Sequence, residues 1–130
     1  MSICIGFDVH AKKITAYGVT LDGYVKEGID FCKEFNREFK SFSTEMSDLE
    51  RVGRWLEGVD HSILMENSTK THKVFWILVE AGCTVVVANA MDLFRITKSV
   101  KKTDHHNSEE LAHFMRRRLM GENKFAQCRW

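Results

Sequence analysis

Thr84-Val85-Val86-Val87-Ala88 is an uninterrupted β-branched run set between two helical patterns, and its reading decides the fold. A strand that alternates apolar and polar side chains leaves one sheet face in water, whereas one that is apolar at every position is buried on both faces, as in parallel sheets. The run therefore calls for helices on both sides of a sheet and makes the protein α/β. Just upstream, Ser68 or Thr69 caps a helix through about Ala81, with Val74, Phe75, Leu78 and Ala81 inward and Gly82 as its stop. Before that helix, His61 to Met65 is a short apolar strand that delivers Glu66 at its end. Downstream, a short helix over Met91 to Thr97 and a basic connector lead to a last helix, from about Asp104 to Met120.

The N-terminal part supplies the rest of the sheet. Ile3, Ile5, Phe7 and Val9 alternate with Cys4, Gly6 and Asp8, which gives a strand with two unlike faces and little bulk beside the acid. A second strand covers about Ile14 to Leu21, and Asp22-Gly23 is a hairpin signal before a third strand near Tyr24 to Phe31. Cys32 to Ser43 is polar with interspersed phenylalanines and reads as loop with partial helix. Ser43 or Thr44 then caps a helix to about Glu57, in which Leu49, Val52, Leu56 and Trp55 form the apolar face and Gly58 is the stop. The expected product is a mixed five-stranded sheet, three antiparallel strands followed by two parallel ones, with helices on both faces over residues 1–120 and a tail at 121–130.

With 19 Lys+Arg against 18 Asp+Glu in 130 residues, the formal net charge is +1. No overall basic field points to nucleic acid, so charge must be argued locally. The cysteines Cys4, Cys32, Cys83 and Cys128 form no C-x-x-C pair, which fits free thiols in a reducing compartment and a cytoplasmic location. No signal-peptide pattern is present, and no apolar window approaches the ~20 residues that cross a bilayer, so no membrane partner is expected.

In a sheet whose first and fourth strands are parallel neighbours, Asp8 and Glu66 meet at the C-terminal ends, where open α/β sheets carry their sites. If the last helix starts at Asp104, then Asp104 and Asn107 lie one turn apart and extend its line through Leu111, Phe114 and Arg118 toward the body of the protein. Three carboxylates and an amide oxygen make a pocket suited to Mg²⁺ or Mn²⁺. Paired divalent ions about 4 Å apart serve phosphodiester cleavage, activating water on one side and stabilising the leaving oxygen on the other.

The stretches Ile5 to Lys13, Met65 to Ser68, Leu78 to Asn89, and Lys102-Thr103-Asp104 through Leu111-Ala112 together resemble the RuvC-like, ribonuclease-H-like N-terminal domain of DEDD insertion-sequence transposases and Piv-type DNA invertases. The resemblance runs to about Leu119. It implies a transposase domain acting in DNA recombination, with Asp8, Glu66 and Asp104 as the first three acids of a metal-binding catalytic tetrad. The family carries a second aspartate where this chain has Asn107, whose amide oxygen can ligate but brings no charge, so weaker metal affinity is expected. Family members also carry a C-terminal domain with a nucleophilic serine. This chain is expected to be a truncated N-terminal half that acts with a full-length transposase or through self-association. Lys98, Lys101 and Lys102 adjoin the expected site as phosphate contacts. The alternative is a catalytically silent remnant that binds DNA or a transposase partner.

Other groups read more plainly. No Cys/His spacing completes a zinc site around His105 and His106, which are expected to be solvated or to face DNA. Arg116-Arg117-Arg118 suit the negative end of the last helix, and Phe75 and Trp76 are expected in the core rather than as base-stacking platforms. An actin-like phosphotransferase shares this style of sheet, but the loop after Asp8 lacks a glycine-rich phosphate cradle.

Overall fold

The computed structural model describes residues 1–22, 25–97 and 106–128. It is α/β, with the expected mixed five-stranded sheet flanked by helices. Strands β1 (Ser2–Val9), β2 (Lys13–Thr20), β3 (Phe42–Ser43), β4 (Asp60–Glu66) and β5 (Val85–Ala88) lie in the order β3-β2-β1-β4-β5. β1 pairs antiparallel with β2 and β2 with β3, whereas β4 runs parallel to both β1 and β5. Helices α1 (Lys26–Glu38), α2 (Met46–Leu56), α3 (Thr71–Glu80), α4 (Ala90–Thr97) and α5 (Ser108–Leu119) complete the chain.

The period-two pattern of β1 sorts two cores. Ile3, Ile5 and Phe7 join Ile63, Met65, Val85 and Val87 on the face that receives Phe35, Phe39, Leu49, Val52, Leu56, Val74 and Leu78. Cys4 joins Leu64, Val86 and Ala88 on the opposite face, under Leu93 and the α5 residues Leu111, Phe114 and Met115. Every residue of β5 is buried, as an all-apolar strand requires.

The expected third strand near Tyr24 to Phe31 is instead helix from Lys26 onward, Tyr24 itself lying outside the described residues. Buried Gly28, Cys32 and Phe35 recur at steps of four and three, the period of a helix face, and the strand inferred from the Asp22-Gly23 hairpin signal is overridden by it. The phenylalanines expected in a loop are thus the packing face of α1 and its exit, where Phe35 and Phe39 form an aromatic cluster with Trp55 edge-on to both. Burying each such ring contributes about 1.5–3 kcal/mol. With β3 only two residues long, α1 and its exit cover much of the β2 edge. Asn36 accepts from the Gly18 N–H (2.6 Å) and donates to its carbonyl (3.1 Å), and Ala16 N–H donates to Phe39 O at 3.1 Å. These bonds satisfy backbone groups that a longer third strand would have paired.

Helix ends follow the sequence in part. Gly58 and Gly82 close α2 and α3 at φ 75° and 91°, the left-handed values that spare glycine a steric penalty. Ser43 and Thr44 are not the α2 cap. Glu45 holds that position, and Ser43 donates its N–H and Oγ–H to the first-turn Asp48, which holds that carboxyl below its usual range. Likewise Lys70, not Ser68 or Thr69, is the N-cap of α3. The tail is not featureless: Phe125 is buried, Gln127 bridges Ala88, and Cys128 N–H donates to Val87 O at 2.7 Å along the outer edge of β5. Among the described residues no helix is long and apolar enough to cross a membrane.

Candidate functional site

Parallel pairing in the register Phe7 with Met65 brings the next residues, Asp8 and Glu66, side by side at the strand ends. Both carboxylates line a pocket of about 130 Å³, with His10, Ser68, Lys70 and His106 among its walls. The side chains of Asp8 and Glu66 are 22% and 14% exposed, so each is sheltered without being sealed from solvent. Asp8 accepts a contact from His10 Nε2 at 3.2 Å.

Helix α5 closes this end of the sheet because Gly6 lets it. A Cβ on Gly6 would lie 2.0 Å from Ser108 O, 2.5 Å from Ala112 N and 2.7 Å from Leu111 Cβ, so the helix backbone rests directly on β1. The residue before the helix cap is then pressed into the pocket. His106 is 7% exposed, its backbone N–H donates to Glu66 Oε1 at 3.0 Å, and its Nδ1 meets the same oxygen. Its ring packs edge-on against Phe114 at 5.1 Å. The hydrogen bond to Glu66 raises the His106 pKa above its ordinary 6.5; burial opposes this, and the charges of Glu66 and Glu110 reinforce it. The expectation of a solvated or DNA-facing His106 is therefore wrong.

The last helix begins at Ser108, not Asp104. Asn107 is its N-cap in extended backbone, with Oδ1 accepting from Glu110 N–H at 2.8 Å while Glu110 accepts from Asn107 N–H at 3.1 Å. This reciprocal capping box is worth about 1 kcal/mol, and it was readable as Asn-x-x-Glu. Asn107 is exposed and does not line the pocket. As the N-cap, Asn107 stands outside the helical turn that was expected to carry it inward beside Asp104. Asp104, His105, Lys98, Lys101 and Lys102 lie outside the described residues. His106 holds the N′ position and Leu111 the N4 position, the pair that staples a helix entry, which is the signal that marks His106 as inward.

The far end of α5 is structural. Arg116 Nε donates to Thr20 O at 3.1 Å, and the Arg118 guanidinium stacks 4.9 Å from the Phe125 ring centre. Burial pushes the Cys4, Cys32 and Cys83 thiols up to about 11, which makes them poor nucleophiles. Lys70, at the start of α3, is a pocket cation that the sequence reading passed over.

As to metal, the Asp8 and Glu66 oxygens are hard donors of the kind Mg²⁺ and Mn²⁺ take. Among the described residues no three or more His, Cys, Asp or Glu side chains stand together as a metal-holding group. Compared with known proteins, the chain matches no family model and no curated protein.

Proposed function

We propose that the chain is a nuclease-type domain of the DEDD transposase kind that binds DNA and, with Mg²⁺ or Mn²⁺, cuts or positions a phosphodiester. The observation that carries this reading is the pairing of Asp8 and Glu66 at the C-terminal ends of two parallel neighbours, in one pocket, in a sheet ordered β3-β2-β1-β4-β5. Asp8, Glu66 and Asp104 would hold the ion, which supplies Lewis-acid activation of water and stabilisation of a leaving oxygen. Asn107, committed to its capping box, contributes by fixing where α5 starts. The His106 N–H and ring hold the Glu66 carboxylate in place, and Lys70 brings a positive charge to the same pocket for a phosphate. Lys98, Lys101 and Lys102 would add further phosphate contacts.

Nicking of supercoiled plasmid or branched DNA in Mg²⁺ tests the reading: the native protein should nick, and Asp8→Asn should not. Equal nicking by the two removes the catalytic assignment. Two contacts favour a second reading, in which the chain is a silent remnant that binds DNA or a transposase partner, including another copy of itself. Glu66 is already engaged by His106, and Asn107 by Glu110. DNA binding that persists with no detectable divalent-ion binding selects that reading.

A further inference from the structure

Trp76, expected in the core, is 46% exposed on α3. Its indole N–H donates to His72 Nε2 at 2.8 Å, and its ring lies 5.2 Å from that of half-buried Phe75, so the exposed indole is held in one orientation. One turn before Trp76 stands Lys73, and one turn before that Lys70, both exposed and neither ion-paired among the described residues. The face therefore interleaves ammonium groups with an oriented aromatic. It is also continuous with the candidate site. Lys70 lines the Asp8/Glu66 pocket, and His72 lines an adjoining recess of about 610 Å³ with Asn67, Ser68 and Thr69. From Lys70 to Trp76 the helix rises roughly 9 Å, so the aromatic lies within about that distance of the pocket-lining Lys70 along the helix axis. The acid on this face, Glu80, comes a turn beyond Trp76 and leaves the pocket end basic.

We infer that this face of α3 is a lane for single-stranded DNA, with a base stacked on Trp76 and backbone phosphates on Lys73 and Lys70, leading a strand into the Asp8/Glu66 pocket. A stacking surface with flanking cations recognises unpaired nucleotides whatever their sequence, whereas a duplex hides its base faces. The inference rests on the proposed DNA-cutting function, but its test does not depend on cutting.

The test is fluorescence anisotropy of a labelled oligothymidine in EDTA, at several salt concentrations, with each variant checked for native circular dichroism. Trp76→Ala should bind about 10-fold more weakly, and Trp76→Phe, which keeps a stacking ring, should stay close to the native protein. Lys70→Ala with Lys73→Ala should lower the salt slope by about 1.4, the value for two phosphates lost from a single strand. Unchanged affinity in Trp76→Ala overturns the lane, as does tighter binding of an equal-length duplex or of oligouridine. Loss of self-association in Trp76→Ala, seen by sedimentation with DNA affinity unchanged, assigns the face to a second copy of the chain and also overturns it. Absence of nicking with this binding pattern intact counts against the catalytic reading alone.

Discussion

Gly6→Ala should lower the stability of the domain by about 3 kcal/mol or more, at the upper end of what overpacking a core costs. The added methyl would stand 2.0 Å from Ser108 O and 2.5 Å from Ala112 N, and both are helix backbone, which cannot swing aside as a side-chain tip can. Helix α5 must lift from β1, loosening the layer in which Leu111, Phe114 and Met115 pack against Cys4, Leu64 and Val86. Urea unfolding read by circular dichroism would show this as a lower midpoint. Lifting α5 also draws His106 away from Glu66, so the variant should lose nicking even under conditions where it remains folded. A loss below about 1 kcal/mol would mean that α5 does not sit as close as described.

His106→Ala carries the second large effect, about 2–3 kcal/mol, because it removes one partner of a sheltered pair and leaves the Glu66 carboxylate with less compensation. The sign of its pH dependence follows from the raised pKa. A histidine that holds its proton more tightly when folded stabilises fully below its unfolded value near 6.5, and that share fades as pH rises through the higher folded value. The stability gap between the native protein and His106→Ala should therefore be wider at pH 6 than at pH 9. A gap that is constant, or that widens with pH, contradicts a charged His106–Glu66 pair.

The parts legible in the sequence were those with one unambiguous period. The Val85–Ala88 run, the alternation in β1 and the stripe of Leu49, Val52 and Leu56 each permit a single reading, and together they order the sheet and place Asp8 beside Glu66. Misreadings came where two local rules competed. Asp22-Gly23 announces a hairpin, while Gly28, Cys32 and Phe35 announce a helix, and tertiary burial of the latter set decides. At the entry to α5, the apparent stripe from Asp104 to Arg118 competed with the Asn107/Glu110 capping box. The box wins because it satisfies backbone donors that otherwise lack partners. The inward turn of His106 has a local signal in the N′/N4 pair with Leu111, but how deeply it is pressed in depends on Gly6, roughly a hundred residues away in the chain. Trp76 was assigned by residue type. The helix period places it opposite buried Val74 and Leu78, on the exposed side with His72 and Lys73.

The central claim is that Asp8 and Glu66 jointly hold a divalent ion, and Mn²⁺ titration followed by electron paramagnetic resonance tests it most directly. The native protein should take up Mn²⁺, while Asp8→Asn and Glu66→Gln, each still folded, should bind it at least about tenfold more weakly. Uptake that is undetectable in the native protein, or equal in all three proteins, would contradict the claim.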